Sequence, residues 1–391
     1  MLRSLLVSAF VCICTFSFAQ QADIALAKKV LEKLTSKEMA GRGYVKKGGS
    51  KAAAYLNNTF KDYGLRMLNK HSYSQFFTTD VNTFPGKMSV VADGKTLVPG
   101  VHYIVGPPSR GFSGSFTLFQ KDSTTWIGNN KAVPLIVKKE KKLTWSVATK
   151  EADYTLIELL KDSFPGNVNK MDVIIENKLE KNFKLQNVCG FIKGSREPDS
   201  FIVFTAHYDH LGMMGSETMF PGANDNASGV SMLINLVDYF SKNKPAYSVA
   251  FICFAGEEAG LLGSKYYVDH PLFPLSKIRF LINLDLLGTG DEGITVVNAT
   301  EYKKDFELLK EINEKEQLLP LIKPRGKAAN SDHYWFSEKG VPAFFIYTMG
   351  GIKAYHDVFD KYETLPLTKY VEVKKLLVGF SEAQMKKGQG N

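Results

Sequence analysis

Five short segments follow one another along the chain, each at the edge of an apolar run: Thr205-Ala206-His207-Tyr208-Asp209-His210, Asn224-Asp225-Asn226, Gly256-Glu257-Glu258, Asn283-Leu284-Asp285 and Tyr355-His356. They offer two imidazoles, His207 and His356, and four carboxylates, Asp225, Glu257, Glu258 and Asp285, with Asp209 beside the first imidazole. Mixed imidazole and carboxylate donors without a thiolate suit zinc, with manganese or cobalt as substitutes. Two divalent cations carry four positive charges; Asp225, Glu258, Asp285 and a hydroxide balance them. The inventory is that of a two-metal hydrolase.

Each residue also has a plainer role. A lone histidine is ordinarily structural, but His207 and Asp209 are two apart on an extended segment, so both side chains point one way and Asp209 could accept the imidazole N–H that faces away from a metal. Asp225 stands before a helical run and could cap it. Capping explains one polar residue, however, whereas Asn224-Asp225-Asn226 places three after Pro221-Gly222. A carboxylate there could bridge two cations. Glu257 and Glu258 could simply favour the start of a helix; their side chains diverge, so one can bind metal while its neighbour faces a water. Asp285 ends a run fit for a buried strand, where an ionised carboxylate must be paired or metal-bound. The nearby Gly260 to Lys265 lacks the spacing of a phosphate-binding loop.

The positioning elements can be read from periodicity. Phe201–Phe204, Val249–Phe254, Phe280–Leu284 and Ala343–Tyr347 are near-continuous apolar runs, as expected of strands covered on both faces. The polar residues lie just beyond their C-terminal ends, where ligands bind in open α/β sheets. Helical spacing marks Ile24 to Leu34, Ser50 to Phe60 and Val230 to Phe240, and Glu257-Glu258 is expected to lead into the first turn of another helix. From Thr83 to Met171 short alternating segments separated by Asp93-Gly94, Pro99-Gly100 and Pro107-Pro108 predict β structure, with one helix at Ala152–Leu160. The expectation is an α/β fold with a mixed, largely parallel central sheet flanked by helices and a smaller β-rich inserted domain. Its division is 20–82 and 172–391 for the catalytic part and 83–171 for the insert.

Met1-Leu2-Arg3 followed by the apolar and small stretch Ser4–Ala19 reads as a secretory signal peptide, residues 1–19. The stretch falls short of the about 20 residues a membrane-spanning helix requires, so no stable membrane insertion is expected after its removal. An exported chain, periplasmic or extracellular, follows. Removing Arg3 lowers the formal charge from +9 to +8, and the lysines are spread without a basic, aromatic-interleaved stripe, which argues against nucleic acid. Cys189 and Cys253 sit in strand-like apolar contexts and are expected to be buried thiols.

The ordered motifs resemble the co-catalytic zinc aminopeptidases, the secreted bacterial family related to glutamate carboxypeptidase and the transferrin receptor. The resemblance runs from Thr205 to Tyr362 through the five segments and Ser331-Asp332-His333, and extends faintly to Leu34–Gly43. It implies two zinc ions, one on His207, Asp225 and Asp285 and one on Asp225, Glu258 and His356. It further implies Glu257 as general base, a cis peptide after Asp225, and a supporting role for Asp332, His333 and His210; Asp209, read from its spacing behind His207, is expected beside Glu257 among the catalytic residues. The implied partners are peptide substrates and the leading expectation is an aminopeptidase. A carboxypeptidase or dipeptidase of the same fold, a one-metal glutaminyl cyclase and a non-catalytic receptor-like module are the alternatives. After His356 the chain reads Asp-Val-Phe-Asp-Lys where the family usually has a proline and an Asp-Thr pair, and the 83–171 insert stands where some members carry a protease-associated domain that could act as a lid.

Overall fold

The computed structural model describes residues 21–129 and 133–387; the expected leader at 1–19 lies outside them. A nine-stranded mixed sheet forms the larger layer. Its centre is four parallel strands, in spatial order Tyr247–Phe254, Glu197–His207, Ile278–Leu284 and Ala343–Met349. Lys178–Ile192 adds antiparallel on one side and Gly293–Val297 on the other. Every residue of Tyr247–Phe254 is buried, which is why these strands read as unbroken apolar runs.

Helices cover both faces. The helix 21–35 buries Ala27, Val30, Leu31 and Leu34, and Gly48–Asp62 buries Ala52, Ala53, Leu56 and Phe60. Gly229–Lys242 is apolar nearly all round and buried accordingly, packing Leu233, Val237 and Phe240 into the main core with Phe204, Phe251 and Ile282. Leu262–Asp269 and His333–Glu338 lie over the opposite face, with Tyr267 and Phe336 against Phe254.

An eight-stranded, mostly antiparallel sheet spans Met88–Ile175 and has its own core, including Val90, Tyr103, Phe116, Val137 and Ile157. Leu211, Met214 and Phe220 from the larger unit complete that core, so the two units share packing. The helix expected at Ala152–Leu160 is instead a strand, Thr155–Leu160, parallel to Leu135–Glu140 and antiparallel to Tyr103–Val105. Thr155, Ile157 and Leu159 are buried and their alternates half-buried, a period of two that the run of helix-forming Leu and Glu concealed. Cys189 and Cys253 are free and buried. Among the described residues no helix is long and apolar enough to cross a membrane.

Candidate metal centre

His207 is the last residue of its strand and is buried. Its Nδ1 lies 3.2 Å from the Asp209 carbonyl oxygen, and a carbonyl can only accept, so Nδ1 carries the proton. Nε2 is the ring atom turned to the pocket, and it faces Asp225 Oδ1 at 3.4 Å and Asp285 Oδ1 at 3.5 Å. His356 repeats the arrangement. Its Nδ1–H donates to the carbonyl of Trp145 at 2.9 Å, and its Nε2 faces Asp225 Oδ2 at 3.0 Å and Glu258 Oε2 at 3.2 Å. The two oxygens of Asp225 therefore look at different imidazoles. Carboxylate oxygens converging on two buried ring nitrogens call for positive charge at two adjacent points.

The other expected residues gather here as well. Asp285 is 6% exposed; its Oδ2 accepts from Ser331 while Oδ1 has no hydrogen-bond partner among the described residues. Ligand atoms of His207, Glu257 and Asp285 lie within 4.8 Å of one another, as do those of His207, Asp225 and Glu258. Donor set, spacing and the orphaned Asp285 oxygen together fit divalent cations. Glu257 and Glu258 stand in the turn after Phe254 that leads into the helix Leu262–Asp269, as expected.

Asp209 acts differently from the expectation. Its carboxylate is 3.8 Å from His207 Nδ1, beyond hydrogen-bond length, because the strand ends at His207 and the chain turns so that the backbone carbonyl takes the ring proton. The freed carboxylate accepts the backbone N–H groups of Glu257 at 3.2 Å and Glu258 at 3.4 Å. Asp209 thus fixes the turn that carries both glutamates. His210 donates from Nδ1 to Glu258 Oε1 at 2.7 Å, leaving Oε2 for the centre. Asp332 and His333 are fully buried beside this floor, and Ser331 between Asn283 and Asp285 links them to the strand.

Residues the sequence reading passed over hold the loops. Arg42, completely buried, donates to the carbonyls of Tyr208, Pro221, Gly222 and Asp225, and to Leu34. The Asp360 carboxylate accepts the N–H groups of Asn224 at 2.8 Å and Asp225 at 3.0 Å. Gly222 has φ of 59°, and a Cβ there would collide with the His210 ring, so only glycine makes this entry to Asp225. The peptide bond following Asp225 is cis. His356 itself sits at φ 54°, held by a reciprocal pair of bonds with Trp145, whose N–H donates to the His356 carbonyl at 2.9 Å. The available signals were a charged residue between two glycines, Gly41-Arg42-Gly43, and an acid four residues beyond His356.

Burial pushes the Glu257 carboxyl well above the usual range, only partly offset by His207. For Glu258 burial acts in the same direction, yet His356 and His210 hold it well below. Neighbouring acids split in this way are suited to opposite duties, one moving a proton and one staying ionised. Burial also raises Asp209 to about 6. Against burial, the Glu258 and Asp225 carboxylates drive His356 up to about 11, so they favour a positive charge at its Nε2. Glu257, Glu258 and His356 line a cavity of about 240 Å³ together with Arg325, Tyr347 and Tyr355. Larger grooves of about 660 and 680 Å³, by Lys374 and by Lys193, gather no comparable set of donors.

Comparison with known proteins adds a family. The profile of Peptidase family M28 matches residues 187–381. Aminopeptidase YwaD of Bacillus subtilis is 28% identical over 239 residues, covering 58% of this chain and 50% of that protein. A probable zinc metalloprotease of Pyricularia oryzae is 33% identical over 123 residues, 30% of this chain and 24% of the relative. The match thus spans about a quarter to a half of the length of these relatives. Among solved structures, the zinc aminopeptidase BSAP from Bacillus subtilis superposes with a TM-score of 0.68 at 18% identity, over 93% of this chain and 96% of that one. A Peptidase M28 precursor from Shewanella amazonensis gives 0.73 at 15% identity, over 94% and 95%. At these identities the likeness establishes the fold, a mixed α/β sheet of the zinc-aminopeptidase type.

Proposed function

Because the chain belongs to peptidase family M28, we propose that it is an exported zinc-dependent metallopeptidase, and specifically an aminopeptidase that removes N-terminal residues from peptides. The observation that carries the reading is the pair of imidazole Nε2 atoms set against opposite oxygens of Asp225. We assign one zinc to His207, Asp225 and Asp285 and a second to Asp225, Glu258 and His356. The names of the relatives, an aminopeptidase and a zinc metalloprotease, support both metal and reaction. Export rests on the N-terminal sequence. Residues 83–171 are proposed as a unit that shapes access, supported by a sheet confined to Met88–Ile175 and by the contact of Trp145 with His356.

When bound, the ions would supply Lewis acidity toward the scissile carbonyl and lower the pKa of a water. The protein's own part is proton handling and placement. Glu257, buried and within 4.8 Å of ligand atoms on His207 and Asp285, is placed to take a proton from the attacking water and return it to the leaving amine. Asp209 keeps Glu257 there through its backbone N–H, and His210 keeps Glu258 turned to the metal side.

Glu257→Gln preserves shape while removing the base. Hydrolysis of an amino-acid amide should fall by about a hundred- to ten-thousandfold, with zinc content near two per chain. Full activity in that variant removes Glu257 from the mechanism. Peptides blocked at the amino terminus should resist cleavage and those blocked at the carboxyl terminus should not; the reverse would make the protein a carboxypeptidase.

A further inference from the structure

We propose that the wall of this cavity carries a carboxylate-binding subsite centred on Arg325, so that preferred substrates present an acidic group there. The inference rests on the peptidase reading for the identity of the ligand as a peptide, and on Arg325 alone for its chemistry. The floor of the cavity is acidic, and its four carboxylates, Asp225, Glu257, Glu258 and Asp285, face the two imidazoles and the proposed ions. Arg325 is the guanidinium on the wall.

Its backbone is fixed at both polar atoms. The N–H donates to Val296 O at 2.9 Å, and its carbonyl accepts from Ala299 N at 3.1 Å. The side chain is oriented by one bond, Nη1 to the Tyr347 hydroxyl at 3.2 Å, and Tyr347 lines the same cavity. Beyond that bond the guanidinium has no hydrogen-bond or ion-pair partner among the described residues, so most of its five-donor fork is open. The nearest rival, Lys142 by Tyr355, is already committed to Asp357 at 3.5 Å and to the Lys353 carbonyl at 2.9 Å. A planar fork without an acid partner, held by a neutral hydroxyl at the edge of a peptide-sized cavity, matches a substrate carboxylate bound bidentately. That carboxylate has two sources: an Asp or Glu side chain on the first residue, or the free carboxyl end of a dipeptide.

Dissociation constants measured by calorimetry on zinc-loaded Glu257→Gln protein separate the sources without turnover. Glutamate amide is compared with glutamine amide for the side-chain source, and leucyl-glycine with leucyl-glycinamide for the terminal one. In one pair the carboxylate member should bind about tenfold tighter, the scale of a charge-assisted hydrogen bond, and Arg325→Met should abolish that margin while Arg325→Lys keeps part of it. Equal binding within both pairs overturns the proposal. So does a margin that survives Arg325→Met, which would place the carboxylate on the ions instead. Hydrolysis of leucine amide by the wild-type protein reads the peptidase assignment separately. Arg325 is exposed and makes a single side-chain bond, so these variants fold.

Discussion

Replacing Arg42 by lysine should cost more than any other conservative change in this protein. Its guanidinium is 0% exposed and donates at 2.7 Å to Tyr208 O, 2.7 Å to Pro221 O, 2.7 Å to Gly222 O, 3.1 Å to Leu34 O and 3.3 Å to Asp225 O. Burial lowers it to about 10, with Asp225, Asp360, Asp209 and Glu258 opposing the shift, so it is charged at neutral pH. An ammonium has three donors where the guanidinium has five. At least two buried carbonyls therefore lose a charge-assisted hydrogen bond, at about 1 to 3 kcal/mol each. The expected loss of about 2 to 6 kcal/mol is a large part of the roughly 5 to 15 kcal/mol that separates folded from unfolded chains. Urea unfolding of wild type and Arg42→Lys, each with and without zinc, measures it. Because the carbonyls belong to the segments flanking His207 and Asp225, zinc affinity should fall too. A variant within about 1 kcal/mol of wild type that binds zinc as tightly would refute the assignment of Arg42 as the clamp on these loops.

Two further outcomes test other joints of the structure. Trp145→Ala removes the ring that stacks on Phe220 at 4.6 Å and the Nε1–H bond to Val105 O, loosening the backbone that holds His356; zinc affinity should drop by about ten- to a hundredfold, Trp145→Phe should keep it, and full metal content in the alanine variant would rule out coupling between insert and centre. Burial and Glu140 raise the Glu158 carboxyl, so its ionisation opposes folding: the folded state binds more protons, and stability falls as pH rises from the unfolded value through the folded one. Glu158→Gln should raise the melting temperature at pH 8 and leave it nearly unchanged at pH 3.5; a difference independent of pH would contradict this.

The strands and the clustering of acids and imidazoles were legible because continuous apolar runs leave few conformations open, and because several such residues, each just past a different run, are brought to one end of the sheet. Asp285 is the clearest case: a carboxylate following Leu284 at 0% exposure can be explained only by a partner. The helix expected at Ala152–Leu160 failed because local propensity was read without the neighbouring strand Leu135–Glu140 that claims its hydrogen bonds. Asp209 was placed beside His207 by extended geometry that ends one residue too early. Arg42, Trp145 and Asp360 left at most faint local signals, since their partners are backbone atoms up to 211 residues away, and backbone atoms leave no mark on side-chain spacing.

Those backbone bonds explain how so many buried acids can share one pocket. Four of the five proposed ligands are held by a group from a segment that carries a different ligand or none: Glu258 by His210 and Asp209, Asp225 by Asp360 and Arg42, His356 by Trp145 of the insert, Asp285 by Ser331; His207 is held by the Asp209 carbonyl of its own segment. Bonds to the backbone or to the far oxygen leave the near atoms pointing inward whatever charge they carry, so the fold and not the ion bears the cost of bringing them together. A cation that then enters gains the full attraction of oxygens already in place, and binding of that kind adds to the stability of the folded state. The same logic makes the two layers interdependent. Because Trp145 supplies the partner of His356 Nδ1 and packs on Phe220 just ahead of the Asp225 loop, a movement of the insert reaches both sides of the centre through two contacts.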